Sequence, residues 1–272
     1  MPDFVTRCGY IRCVNATLSP QRIIVRSAVG LVSALGACVA LAAPATAAPT
    51  ADPVGTDHIG PTVLGGLSGD LRDCARLKCV ALTFDDGPGE HTDELLDTLA
   101  DYDAKATFYV LGSKVAGNTD TLQQMAEEGH EIGNHSWDHD DLATLSAGDV
   151  EKDMARTNDV IREATGTEPA TVRPPYGSLD DTARSAIDQA LVLWDVDTLD
   201  WQSRDADAVT DVTLDETAPG SVVLFHDIHE STVEAIPSVL AGLHRQGYHF
   251  VTVDELFPDV LEPGDVYTDA RL

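Results

Sequence analysis

Two short segments of this 272-residue chain carry side chains of the right kinds, at the right spacing, to hold a cation and move a proton. In Thr83-Phe84-Asp85-Asp86-Gly87-Pro88 an apolar run ends on adjacent carboxylates, and Gly87-Pro88 turns the chain away at once. Adjacent carboxylates at a strand end point in different directions, so one can ligate a metal while the other handles a proton. In His135-Ser136-Trp137-Asp138-His139 two imidazoles stand four residues apart, where one helical turn can bring both to a single ion. Two histidines with one carboxylate leave coordination positions open for water and substrate, as a catalytic site requires and a structural site avoids. Each segment alone has a plainer reading, an Asp-Asp turn before a helix or a solvated polar turn. Their joint occurrence favours a metal site.

The elements that must position these residues follow from the apolar pattern. Strands are expected at Cys79–Phe84, Ala106–Leu111, Glu131–Asn134, Thr171–Arg173, Leu191–Asp197, Val222–His226 and Phe250–Val253. Helices are expected at Thr92–Tyr102, Thr119–Glu128, Ala147–Ala164, Asp180–Gln189 and Thr232–Arg245. Thr92 and Asp180 stand where N-caps belong, and Gly129 and Gly247 where helices end. Strand–helix alternation predicts an α/β fold with a parallel sheet, open or closed into a barrel. Asp85 and Asp86 then follow the first strand, His135 the third, Arg173 the fourth, and His226 closes the sixth. Sites assemble at the carboxyl ends of parallel strands, so separated polar segments converge on one rim.

These two segments, with Arg173-Pro174-Pro175-Tyr176-Gly177, Asp200-Trp201 and Leu224-Phe225-His226, resemble the five ordered motifs of the polysaccharide deacetylase family. That esterase group includes chitin, peptidoglycan and acetylxylan deacetylases, and the resemblance runs from about Cys79 to Leu256. It implies a distorted (β/α) barrel with fewer than eight parallel strands. By motif, Asp85 matches the catalytic base, and Asp86, His135 and His139 match the metal ligands. Arg173 matches the residue that orients the base, and Asp200 the carboxylate expected to pair with that arginine. Tyr176 matches the position whose backbone N–H faces the oxyanion, His226 the catalytic acid, Leu224 the apolar floor beneath the acetyl methyl, and Trp201 a pocket wall. The implied cofactor is one divalent ion, zinc by default, with cobalt, nickel or manganese able to serve. The implied reaction is hydrolysis of N-acetyl groups on an aminosugar polymer of peptidoglycan or chitin type. Acetylxylan hydrolysis and a non-catalytic carbohydrate-binding homologue are the alternatives. A non-haem iron oxygenase also uses two histidines and a carboxylate, but would leave Asp85, Arg173 and His226 without a task.

Elsewhere the chain suits export. Arg22 and Arg26 precede an apolar run from Ala28 to Ala43, and Ala45-Thr46-Ala47 offers a cleavage site, so residues 1–47 read as a signal peptide. A lipoprotein-like Leu35-Gly36-Ala37-Cys38 and an uncleaved anchor are the lesser alternatives to secretion. Residues 48–70 read as a flexible linker, 71–257 as the catalytic domain, and 258–272 as a mobile acidic tail. Arg7, Arg12, Arg22 and Arg26 outweigh Asp3 in the leader by three charges, so its removal takes the formal charge from −29 to −32. Such a surface repels nucleic acid and anionic polymers, and no stable protein partner is implied. Outside the leader only Cys74 and Cys79 remain, and an exported chain with two cysteines favours a disulfide over half of a metal site. Trp194 reads as core, Trp137 as either core or sugar platform, and the roles of Asp227 and His229 stay open.

Overall fold

The structure, a computed structural model, describes residues 74–257 and 259–271. The expected leader with its Cys38, and the linker, lie outside the described residues. The strands are β1 (Lys78–Asp85), β2 (Thr107–Val110), β3 (Glu131–Asn134), β4 (Thr171–Val172), β5 (Ala190–Val192), β6 (Val196–Asp197), β7 (Val222–His226), β8 (Tyr248–Val251) and β9 (Val266–Tyr267). The helices are α1 (Thr92–Asp101), α2 (Gly112–Val115), α3 (Thr119–Glu127), α4 (Ala147–Thr165), α5 (Asp181–Ser185), α6 (Asp200–Ser203), α7 (Ala206–Glu216), α8 (Glu230–Arg245) and α9 (Val253–Leu256).

The sheet runs β6-β7-β1-β2-β3-β4-β5-β9, and β8 joins it by pairing with β1. Every strand pairing is parallel. β1 is shared along its length: Lys78–Ala81 face β8, and Thr83–Asp85 face β2. The sheet is curled and open between β6 and β9, near which Ser221 and Asp269 form one antiparallel bridge. The expectation of fewer than eight strands is corrected here, because eight strands form one continuous series and β8 is a ninth.

Two features account for the difference. The run Leu191–Asp197 is not one strand, because the chain leaves β5 where Arg173 takes the carbonyls of Val192 and Leu193 at 3.0 and 2.7 Å. It then crosses to β7, where Asp195 accepts from the Ser221 hydroxyl and the Val222 N–H. The segment read as a mobile tail instead contributes β9, with Leu191 and Leu193 donating to the carbonyls of Asp265 and Tyr267.

Side-chain alternation sorts each strand between two environments. Val80, Leu82 and Phe84 of β1 point outward into a core shared with Leu95, Leu96 and Leu99 of α1 and Val239, Leu240 and Leu243 of α8. Phe84 lies between Phe108 and Phe225, with ring centroids 5.4 and 5.3 Å away. Burying each such ring is worth about 2–3 kcal/mol. Cys79, Ala81, Tyr109, Val192, Val222 and Val251 form the second cluster, on the sheet's other face. The same parity carries Thr83 and Asp85 onto that face, so the strand pattern itself turns Asp85 inward. Gly133 makes room there, since a Cβ on it would meet the Tyr109 ring at 2.4 Å.

The connections match the expected helices in place but not in every boundary. Thr92 is the first residue of α1 rather than its cap, whereas the Asp180 carboxylate does cap α5 by accepting from Ala183 N–H. A disulfide joins Cys74 and Cys79 at the entry to β1. Among the described residues no helix is long and apolar enough to cross a membrane.

Candidate active site

Asp85 ends β1 with its carboxylate buried, and burial of an ion demands partners. Arg173, wholly buried just past β4, supplies them: its Nη1 donates to Asp85 Oδ1 at 2.8 Å and to Thr83 Oγ1 at 2.7 Å. Its Nε and Nη2 donate to the carbonyls of Val192 and Leu193, and the guanidinium lies 4.2 Å from the Tyr109 ring centroid. Every bond fixes the guanidinium plane, leaving Asp85 Oδ2 turned toward His135 at 3.6 Å.

Asp86, His135 and His139 present donor atoms that all lie within 4.8 Å of one another. Asp86 Oδ1 is 3.5 Å from His135 Nε2 and 3.4 Å from His139 Nε2. Ligands about 2.1 Å from a tetrahedral ion stand roughly 3.4 Å apart, so the donor set fits a small divalent cation. Asp86 Oδ1 is also buried without a hydrogen-bond partner, a costly arrangement for a carboxylate unless a cation meets it. His135 Nδ1 donates to the Arg173 carbonyl at 2.6 Å, which leaves the Nε2 lone pair for an ion. Burial lowers the His135 pKa, outweighing the charges of Asp85 and Asp86 that raise it, and so favours the neutral ligand form.

The opposite side of the cleft is built from Asp200 and His226. Sequence reasoning paired Asp200 with Arg173; the structure pairs it with His226 instead. Asp200 Oδ1 accepts from His226 Nδ1 and Trp201 N–H, both at 2.8 Å, and Oδ2 accepts from His226 N–H and Thr232 Oγ1, both at 2.7 Å. Arg173 meanwhile has spent its donors on Asp85, Thr83 and the end of β5. Burial alone would lower the His226 pKa, but the Asp200 hydrogen bond and charge, joined by Asp85 and Asp86, raise it to about 9. Burial raises the Asp200 pKa, yet the bonds and charge of His226 and the Thr232 hydroxyl bring it below its ordinary value.

Asp85, Asp86, His135, His139 and His226 line one cleft of about 510 Å³, together with Tyr176, Trp201 and Leu224, while Arg173 and Asp200 are buried behind it. Leu224 is buried at its base, whereas Tyr176 and Trp201 are 69% and 48% exposed. The Tyr176 ring stands edge-on to His139, 4.4 Å away between centroids. Six of the seven non-glycine residues with left-handed φ among the described residues lie on the segments that carry the site: Asp86, Ser136, His139, Tyr176, Leu199 and Arg204. Each costs on the order of 1 kcal/mol, strain that clusters at functional sites.

Known proteins similar to this chain are numerous. A family model for polysaccharide deacetylases matches residues 72–192. The structure of a T48 deacetylase with substrate superposes at TM-score 0.70 with 47% identity, covering 72% of this chain and 98% of that one. This chain belongs to the polysaccharide deacetylase family. Also similar is the family 4 acetyl xylan esterase of Clostridium thermocellum with a cobalt ion, at TM-score 0.69 and 35% identity over 72% of this chain and all of that one. The peptidoglycan-N-acetylglucosamine deacetylase PgdA of Listeria monocytogenes is 42% identical over 199 residues, 72% of this chain. The chain spans 43% of that relative's length.

Within this family frame, the structure brings together every residue that the motifs singled out, and adds several. Trp194, read as core from its apolar run, lines the cleft as well as packing against the inner cluster. Asp197, Arg204, Ile228 and His229 also line it, and of these only His229 stands out in sequence, as a histidine three residues after His226 whose role the sequence leaves open. Trp137 faces Arg156 at 3.3 Å from its ring centroid and is not among the cleft residues. Asn134, a formal glycosylation acceptor, is fully buried and donates to the Met154 carbonyl and Asn158 Oδ1.

Proposed function

We propose that this chain is an exported, metal-dependent deacetylase that hydrolyses N-acetyl groups of an aminosugar polymer of peptidoglycan or chitin type. The observation that carries this reading is one cleft holding three convergent lone pairs on one side and a proton-bearing imidazole on the other. Asp86, His135 and His139 would hold the ion, with zinc the first candidate and cobalt, nickel or manganese also suited to two nitrogens and an oxygen. When bound, the ion supplies Lewis acidity, acidifying water and polarising the acetyl carbonyl.

Asp85 is the base: Arg173 occupies its Oδ1, and Oδ2 is free to take a proton from the attacking water. The Tyr176 backbone N–H assists the developing oxyanion; removal of one such donor typically costs about 3 kcal/mol of transition-state stabilisation. His226 is the acid: Asp200 holds its Nδ1, so Nε2 can deliver a proton to the amide nitrogen as the C–N bond breaks. Acetate and a free amine result, with the water proton on Asp85 and the amine proton drawn from His226. Leu224 floors the site beneath the acetyl methyl, and Tyr176 and Trp201 offer exposed rings to sugar faces.

The catalytic domain would run from about residue 71 through β9, delivered by a leader cut after Ala47 to the cell exterior, where acetylated wall or chitin-type polymers lie. The test is acetate release from N-acetylglucosamine oligomers before and after chelation, with zinc or cobalt added back. Release that chelation abolishes and metal restores supports the reading. Release only from acetylated xylan, or from neither substrate under any metal, overturns it.

A further inference from the structure

Asp227 follows the proposed acid in sequence but takes no part in the reaction above, and its surroundings are unusual. The residue is fully buried. Its Oδ2 accepts from Thr92 Oγ1 at 2.5 Å, while Oδ1 finds no hydrogen-bond partner. Thr92 Oγ1 in turn accepts from Gly89 N–H at 2.8 Å, so the carboxylate is tied to the turn between β1 and α1. The tie is close: a Cβ on Gly87 would stand 2.4 Å from either Asp227 oxygen, which only glycine permits.

The Asp86–Gly87 peptide is therefore held from two directions. Asp227 lies against Gly87, and Lys114 Nζ donates to the Asp86 carbonyl at 2.7 Å. The Gly87 carbonyl is fixed as well, accepting from Leu111 N–H at 3.1 Å. Asp86 itself has φ of 71°, a conformation that a residue with a Cβ does not keep unless its surroundings enforce it. Asp86 and Lys114 are also the charged neighbours whose fields act on Asp227. A buried carboxylate with a single donor is expensive as a structural device, since an amide or a hydroxyl could hold Thr92 without the charge.

We propose that Asp227 is a positioning residue of the metal centre, fixing the turn that presents Asp86 and placing a second negative charge behind the triad to favour a divalent cation. This rests on the reading that Asp86, His135 and His139 hold such a cation. Of the three ligands only Asp86 is negative, one charge against two positive, while the neighbouring Asp85 is paired with Arg173 and Lys114 adds a positive charge nearby. A carboxylate behind the ligand supplies the balance without occupying a coordination position.

Two variants separate this from an anchoring role at the start of α1. Asp227→Asn keeps the shape and the acceptor for Thr92 but removes the charge. Thr92→Val removes the donor and with it the bond that helps keep this buried carboxylate ionised. Zinc affinity would be measured by competition with a chromophoric chelator, and thermal melting with the metal stripped. Asp227→Asn should weaken zinc binding tenfold or more, within the 10- to 100-fold range usual for residues behind metal ligands, while the metal-free melting temperature holds or rises. Thr92→Val should lower the melting temperature and weaken zinc binding, by less than Asp227→Asn does. The proposal is overturned if Asp227→Asn binds zinc like the wild type, if it fails to fold, or if it loses melting temperature and affinity together. A wild-type protein that binds no zinc or cobalt would instead remove the metal reading itself.

Discussion

His135 and His226 face the same cleft, both largely buried, yet they are prepared for opposite tasks. The Nδ1 of His135 meets a backbone carbonyl, which fixes the tautomer but adds no charge. The Nδ1 of His226 meets a carboxylate that is itself satisfied by three further donors. Burial therefore prevails at His135 and lowers its pKa, whereas Asp200 prevails at His226 and raises it to about 9. One imidazole keeps a lone pair and the other keeps a proton. The partner of the remote ring nitrogen, together with the depth of burial, decides which.

The largest expected break in this division is at the residue between the two sides. Asp85→Asn should reduce acetate release by a thousandfold or more while bound zinc stays stoichiometric. Near-normal turnover would remove Asp85 as the base. Next comes the lone-pair side: His139→Ala should reduce zinc affinity at least a hundredfold and leave the melting temperature of the stripped protein within a few degrees, because His139 is only partly buried. Unchanged metal content in that variant would refute the triad.

Asp200→Asn sharpens the proton-bearing side. In the wild type the His226 proton is lost near pH 9, or somewhat lower once a cation opposes the charges of Asp85 and Asp86. Without the Asp200 charge, the alkaline limb of kcat/KM should move toward pH 6.5, the ordinary histidine value. The folded pKa of His226 is raised, so the stability it contributes is complete below about pH 6.5 and is lost as pH rises through about 9. Asp200, whose pKa is depressed, loses its contribution only in acid, below its ordinary 3.8. Urea unfolding across pH 2 to 10 would check both signs, and Asp200→Asn should flatten the alkaline fall.

Much of this division was legible in sequence, and the reason is parity. A strand ending Val80-Ala81-Leu82-Thr83-Phe84-Asp85 must turn Asp85 away from the phenylalanine core. The spacing of His135 and His139 points to a helical turn, whereas the structure brings them together from an irregular loop with left-handed φ at Ser136 and His139. What sequence could not supply was the choice of partner between distant segments. Asp200 could have met Arg173 or His226, and only the path of the chain from β5 across to β7 decides between them. The strand count failed for a related reason. β9 is two residues in an acidic segment with no apolar period, and its pairing with β5 depends on contacts made 75 or so residues apart. Helix α7 escaped notice because its buried stripe is reduced to Val209 and Thr213. Asp227 was visible as a residue beside the acid, but its burial against Gly87 belongs to the tertiary structure.

The smallest effect should come from the region remote from both imidazoles. Replacing Cys74 and Cys79 together by serine opens a loop of only a few residues, so the loss of stability should be about 2 kcal/mol by chain-entropy reasoning. Turnover at 25 °C should change less than twofold. A larger loss of activity would mean that the entry to β1 is coupled to the rim.

The contrast itself is most directly tested by nitrogen-15 NMR titration of the histidine side chains in the metal-free protein, with His135→Gln and His226→Gln variants providing assignments. The account predicts that His226 stays protonated to near pH 9, while His135 remains neutral with its proton on Nδ1 and titrates below its ordinary value. Coincident titration of both rings near pH 6.5 would contradict it.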